Sequence, residues 1–324
     1  MIISRTPFRM SFVGGGTDLP CFYSREQGAV ISTSINKYVY ITVSRRFDKT
    51  LRISYSQTEI VDEVNDVRHP LFRETMRQTG VDSGIEVTSI ADVPAGTGLG
   101  SSSSFTVGLL HALHAFKGSF QTAAELAETA CHLEINVLGE PIGKQDQYAA
   151  AFGGLRRYLF NPDGSVFVDP VICSPKTRAA LFERLLLVYL GGSRNASQIL
   201  KEQSNNTHQK MVYLRRLRGL VDSFWDILVR DGDVRQLGEL LHEGWMCKKQ
   251  LADNVSTSRI DYWYERARSA GALGGKVLGA GMGGFLLLVC DQGQQAAVRE
   301  SLRELREVPF GFEPEGSKII YVGG

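Results

Sequence analysis

The sequence lacks a C-x-x-C pair, and its five cysteines (Cys21, Cys131, Cys173, Cys247 and Cys290) are odd in number and widely spaced. That pattern argues against a disulfide framework and fits a reducing, cytoplasmic compartment. Long apolar runs are missing too. Phe285 to Cys290, one of the longest, is far too short to span a bilayer. Met1 to Arg9 carries two arginines and no apolar stretch, unlike a signal peptide. No charge of one sign dominates: 36 Lys+Arg stand against 35 Asp+Glu, a formal net charge of +1. Such a chain has no broad field to draw in nucleic acid or an anionic membrane, so an anionic ligand must be gripped by a local site. The histidines lack a strong metal-ligand spacing. His111 and His114, three residues apart, read as ordinary helix residues. There is no internal repeat and no low-complexity tail. The expectation is a cytoplasmic protein with small-molecule partners, no nucleic acid and no membrane, and with a homodimer left open.

What is present is a chain of 324 residues, 43% of them hydrophobic, enough for a large core and for two domains. The character of the sequence changes near residue 175, which suggests domains over 1–175 and 176–324. In the first, Tyr38 to Ser44, Leu51 to Ser56 and Ile85 to Ile90 read as strands. A helix is expected after the segment Pro94 to Ser104, with Leu109, Leu113 and Phe116 on one face. Another spans about Thr122 to Leu138, opened by the capping box Thr122 and Glu125 and ended by Gly139 and Pro141. Asn161-Pro162-Asp163-Gly164 is a hairpin turn between Leu155 to Phe160 and Val166 to Val171. The second half offers a strand at Leu185 to Leu190 and helical stretches near 194–230, 233–251 and 257–270. Two strands follow around a glycine cluster, then a helix near 292–305 and a last strand near Lys318 to Val322. This βαββαβ-like order suggests an α+β layer of the ferredoxin type.

The most informative segment is Pro94-Ala95-Gly96-Thr97-Gly98-Leu99-Gly100-Ser101-Ser102-Ser103-Ser104. Glycines let a backbone approach a ligand closely, and a loop that leads into a helix presents unpaired N–H groups at the positive end of the helix dipole. Such a loop binds phosphate. It is not a Walker loop, since no lysine follows, nor a G-x-S-x-G nucleophile elbow. A flexible linker is the plain alternative, but linkers rarely run straight into an amphipathic helix. Gly14-Gly15-Gly16-Thr17-Asp18, after an apolar strand, is either a tight turn capped by Asp18 or a loop that meets sugar hydroxyls. Asp146, in Gly143-Lys144-Gln145-Asp146-Gln147, would by itself most often be a solvated loop carboxylate. Glu134 shares a helix side with Ala127, Ala130 and Val137, so it needs a partner there, either a buried arginine or a metal ion. Gly191 to Ser197, with Arg194 and Ser197, is either a simple helix cap or a second anion site suited to a phosphorylated substrate.

Three segments in order resemble the motifs of the GHMP kinases, the family of galactokinase, homoserine kinase, mevalonate kinase and phosphomevalonate kinase. Arg5 to Asp18 is similar to the first, Pro94 to Ser102 to the second (P-x-x-x-G-L-G-S-S), and Gly279-Ala280-Gly281-Met282-Gly283-Gly284 to the third, with Met282 where many members have glycine. The resemblance implies a two-domain α+β fold, with an N-terminal domain like ribosomal protein S5 domain 2 and a ferredoxin-like C-terminal domain. It implies ATP as phosphoryl donor and Mg²⁺ held by Ser102 and Glu134. It places phosphates on Pro94, Gly96, Gly98, Leu99, Gly100, Ser101, Ser102 and Ser103, and sugar on Gly15, Gly16, Thr17, Asp18, Gly281 and Gly283. Asp146 would accept the proton of the acceptor hydroxyl beside Arg9, with Lys144 a local competitor for that cation role and, with Arg194 and Ser197, a candidate for a substrate phosphate. The wording GGGTD most resembles the heptose 7-phosphate kinases and the fucokinases. The expected acceptor is therefore the anomeric hydroxyl of a heptose 7-phosphate. Another sugar kinase of the family, or a catalytically silent sugar sensor, is the alternative.

Overall fold

The computed structural model describes residues 1–192, 207–252 and 255–323. Twelve strands are found among these residues: β1 (Ile2–Val13), β2 (Gly28–Arg45), β3 (Leu51–Ser54), β4 (Thr58–Val61), β5 (Ile85–Ala91), β6 (Leu155–Phe160), β7 (Val166–Pro170), β8 (Leu185–Gly191), β9 (Ala272–Val277), β10 (Gly284–Cys290), β11 (Arg306–Glu307) and β12 (Lys318–Val322). They make two sheets. The eight-stranded one runs β12-β1-β2-β5-β3-β4, with β6 paired to β2 and β7 to β6. All its pairings are antiparallel except β3 with β5. The four-stranded one runs β11-β8-β10-β9, entirely antiparallel. In chain order that is fourth, first, third, second, and helices fill the β8–β9 and β10–β11 connections. This is the ferredoxin-type arrangement that the sequence suggested.

The end of the chain departs from that expectation. β12 pairs with β1 in the first sheet (Ile2 with Val322, Arg5 with Lys318), and Phe312 bridges Ile35. The division at residue 175 therefore needs correcting, because the last residues return to the N-terminal sheet. β12 covers the edge that β1 would otherwise expose. A second difference is the helix Pro70–Thr79, which the sequence reading passed over. Proline stands in its first turn and Gly80, left-handed at φ 63°, ends it. The late helix is shorter than expected, Gln295–Ser301, because the chain there turns into β11.

Helix Ser101–Phe116 lies on β1 and β2 and carries the site. Its apolar residues Val107, Leu109, Leu110, Ala112 and Leu113 are buried. Ser104 Oγ donates to Pro7 O at 2.9 Å, where the β1 register shifts between Pro7 and Phe8. The capping box at Thr122 and Glu125 forms as read, and the helix Ala123–Cys131 continues into a π turn, His132–Val137, that carries Glu134. The long helix Thr207–Val229 packs on β1 and β2 and on helix Gln236–Lys249, with Phe224 stacked on Phe12 at 5.2 Å. One continuous core thus runs through both halves, and a cavity lined by residues of both opens between them.

His111 reports on the chain return. Its Nδ1 lies 3.0 Å from Ser317 Oγ, and burial pushes the imidazole down to about 4 from the ordinary 6.5, with His114 adding to the effect. The neutral ring is favoured in the folded state, so its contribution is full above pH 6.5 and is lost as pH falls toward 4. Between pH 7 and pH 5 the wild type should lose about 1–2 kcal/mol relative to His111→Asn, read by denaturant melts. Parallel pH profiles for the two proteins would contradict this.

Candidate active site

The three glycine-rich segments converge on one cavity of about 470 Å³. Their junction is a backbone contact. Gly98, at φ 88°, lies so close to the strand-end loop that a Cβ there would sit 2.5 Å from Leu278 O, and a Cβ on Gly279 would sit 2.5 Å from Gly98 Cα. Both glycines therefore serve the seam between the second and third segments, not only a ligand. Met282 takes the left-handed region, φ 61°, with its N–H donating to Val255 O at 2.8 Å. A non-glycine residue there carries local strain, held by that bond.

Helix Ser101–Phe116 begins without a side-chain cap, after Gly100 at φ 74°. Ser104 N–H donates to Gly100 O at 2.9 Å, but the N–H groups of Ser101, Ser102 and Ser103 have no partner among the described residues. These orphan donors sit at the dipole's positive end on residues that line the cavity, an arrangement that could cradle an anion. Gly96, Gly98, Gly100, Ser101, Ser102 and Ser103 line it. Pro94 and Leu99 do not. Pro94 is exposed, with its carbonyl accepting from Thr97 Oγ1, and Leu99 is a core side chain whose carbonyl accepts from Arg9 N–H at 3.1 Å.

Arg9 is the hub. Nε and Nη2 donate to Asp146 Oδ1 and Oδ2 at 2.7 and 2.5 Å, and Nη1 donates to Gly98 O at 2.6 Å. The guanidinium is 4% exposed and the carboxylate 24%, open on its cavity side. Asp146 is thus not a solvated loop residue. Lys144, the rival cation, points elsewhere: its Nζ donates to Gly164 O at 2.6 Å and lies 5.0 Å from the Tyr23 ring centre. It anchors the β6–β7 hairpin and lies off the cavity lining, so contrary to expectation it is not placed to meet a substrate phosphate there. Arg194 and Ser197 lie outside the described residues.

The GGGTD loop splits in role. Thr17 Oγ1 donates to Gly14 O and Ala29 O and accepts from Ala29 N–H, so this buried hydroxyl stitches the loop to β2 and is not free for sugar. Gly15, Gly16 and Asp18 line the cavity. Asp18 accepts from Gly16 N–H (2.9 Å), Gln145 N–H (3.3 Å) and Gln145 Nε2 (3.0 Å). Burial, and then the Asp146 charge, raise its carboxyl above the ordinary range. Two buried polar atoms nearby, Ser11 Oγ and Gln145 Oε1, have no partner, and both residues line the cavity. A polyhydroxylated ligand would complete them. Gly281 and Gly283 line the same cavity.

Glu134 does not meet a buried arginine. Ser102 Oγ donates to its Oε1 (2.9 Å), while Ser103 Oγ (2.9 Å) and Gln147 Nε2 (2.6 Å) donate to Oε2. No cation lies within ion-pair distance among the described residues. Burial pushes the carboxyl up to about 7 against the opposing pull of those bonds. A buried carboxylate beside a serine hydroxyl on the wall of an anion cradle, short only of a positive charge, fits a hard divalent cation such as Mg²⁺. Sequence reasoning missed Ser103 and Gln147 as partners of Glu134. It also missed Lys248 and Lys276 in the cavity wall, although a lysine inside the otherwise apolar strand ALGGKV was a visible signal.

Two family models match the chain: the GHMP kinases N terminal domain over residues 67–154 and the GHMP kinases C terminal over 224–307, together just over half of it. Over its whole length the chain is similar to the D-glycero-alpha-D-manno-heptose 7-phosphate kinase of Campylobacter jejuni, at 28% identity with 98% of each chain covered. It is 26% identical to the galactokinase of Thermococcus kodakarensis, over 96% of this chain and 95% of that one. In fold it matches a D-glycero-D-manno-heptose 1-phosphate kinase structure from Bacteroides thetaiotaomicron with a TM-score of 0.83, 23% identity and full coverage of both chains. The chain belongs to the GHMP kinase family. It is an ATP-dependent carbohydrate kinase.

The seam between the glycine loops is testable without substrate. Gly98→Ala should cost at least about 2 kcal/mol, from left-handed strain plus the clash with Leu278 O. Gly118→Ala, at φ 74° with open space around it, should cost only about 1 kcal/mol. Equal losses in thermal melts would show that the two loops do not bear on each other there.

Proposed function

We propose that the enzyme transfers the γ-phosphoryl group of ATP to the anomeric hydroxyl of D-glycero-D-manno-heptose 7-phosphate, giving the 1,7-bisphosphate for nucleotide-activated heptose and surface glycans. The observation that carries the chemistry is the Arg9–Asp146 pair, which lies between the amide cradle and the Gly15–Asp18 loop. Full-length similarity to the Campylobacter jejuni enzyme supports the choice of acceptor.

In this scheme the N–H groups of Ser101, Ser102 and Ser103 hold the polyphosphate of ATP. Asp18, Ser11 and Gln145 hold sugar hydroxyls. The acceptor oxygen attacks γ-phosphorus in line, its proton passes to Asp146, the bond from γ-phosphorus to the β-phosphate oxygen breaks, and ADP leaves. Arg9 fixes the carboxylate bidentately so that it faces the hydroxyl, and its bond to Gly98 O registers it against the cradle. Ser102 and Glu134 would hold Mg²⁺, which supplies charge neutralisation on the phosphates.

A free-sugar kinase is the second reading, favoured by the galactokinase similarity. ADP release with Mg·ATP and a panel of heptose 7-phosphate, free heptose, galactose and fucose separates the two. Turnover should be highest on the heptose 7-phosphate. Faster turnover of galactose or fucose would replace this acceptor. With the best acceptor, Asp146→Asn should lower kcat by about 10²–10⁴-fold and leave ATP affinity unchanged. An unchanged kcat would take Asp146 out of the reaction.

A further inference from the structure

Two buried cations in the cavity wall take no part in the scheme above. Lys248 lies near the end of helix Gln236–Lys249 and Lys276 lies on β9. Both residues are more than nine-tenths buried and both line the cavity. Lys276 Nζ donates to Phe12 O at 2.9 Å, and Lys248 Nζ donates to Gly279 O. Each ammonium carries three donor hydrogens, so these single bonds leave donors over. Among the described residues no carboxylate lies within ion-pair distance of either. Arg9 already faces Asp146; Asp18 acts on both lysines, and Asp146 on Lys248, only from beyond ion-pair distance.

A protein rarely keeps two ammonium groups out of water beside one another without a counter-charge. Burial lowers Lys248 to about 8 and drives Lys276 well below the usual lysine range, with Lys248 and Arg9 adding repulsion. A ligand with two negative charges reverses that penalty. The lysines' anchors say which ligand. Phe12 precedes the loop Gly14–Asp18 and follows Ser11, both on the acceptor side, and Gly279 opens the facing loop. The phosphates of ATP have their own donors in the amides at Ser101–Ser103.

We propose that Lys248 and Lys276 together bind the phosphate group carried by the acceptor sugar, and so set the preference for a phosphorylated over a free sugar. This rests on the sugar-phosphate reading of the preceding subsection. The two lysines reach the cavity from different elements, one on a helix and one on a strand. They can therefore grip one phosphate from two directions, as a single flexible lysine cannot.

The test compares kcat/KM for heptose 7-phosphate and for free heptose in wild type, Lys248→Met and Lys276→Met, with KM for ATP measured alongside. Methionine keeps the unbranched chain and removes the charge. Wild type should prefer the phosphorylated sugar. Each variant should lower that preference by about tenfold to a hundredfold, through KM for the acceptor, with KM for ATP within about threefold. Lys276→Arg should restore part of the preference, which a purely structural lysine would not do. If the preference survives in both Met variants, or if KM for ATP rises instead, the lysines do not bind the acceptor phosphate. If wild type itself prefers the free sugar, the sugar-phosphate reading fails first and this inference with it. Should a variant not fold, inorganic phosphate decides on the wild type. Competition against heptose 7-phosphate and not against ATP is expected, and competition against ATP alone would overturn the inference.

Discussion

The site depends on one side chain in one strand. Arg9 leaves β1 and, through four bonds including its own amide, joins the strand to Gly98, Leu99 and Asp146. Those residues come from segments about ninety and about one hundred and forty positions away in the chain. A buried guanidinium has to be satisfied on every side, and breaking such a pair by removing one partner costs about 3–5 kcal/mol. The geometry that orients the candidate proton acceptor is therefore also a condition for packing the phosphate loop against the first sheet. Stability and chemistry share the same bonds.

Around that hub the charges are arranged by role. Glu134 and Asp18 are buried carboxylates raised by desolvation, held by neutral donors and facing space where a ligand would stand. Lys248 and Lys276 are buried cations lowered for the same physical reason. Each of these groups is uncomfortable alone in a protein interior, and in the proposed scheme Mg²⁺, sugar hydroxyls or a phosphate would satisfy it. In that scheme these charges are what a charged, polyhydroxylated substrate and a metal-bound nucleotide would complete.

Much of this was legible in the chain because it is local. The glycine and serine run before an amphipathic helix, the capping box at Thr122 and the hairpin turn at Asn161 to Gly164 are short-range signals with direct backbone consequences. Glu134 stood out because a carboxylate on an apolar helix side demands a partner. What escaped notice was long-range. Nothing near Lys318 says that β12 will pair with β1, and nothing near Lys144 says that its ammonium will cap a hairpin carbonyl instead of facing the cavity. Thr17 looked free for sugar because its acceptors, Gly14 O and Ala29 O, are set by tertiary approach. Lys248 and Lys276 carry no motif at all, and only the fold brings them together.

In the proposed scheme Arg9 and Asp146 act as one unit at the point of phosphoryl transfer. A double-mutant cycle on kcat, with Arg9→Met, Asp146→Asn and the double variant, measures this directly. If the pair is one unit, the double variant should be little slower than the worse single variant, a coupling of about 1–3 kcal/mol. If the two losses simply multiply, the residues act separately and Arg9 does not orient Asp146 for the transfer.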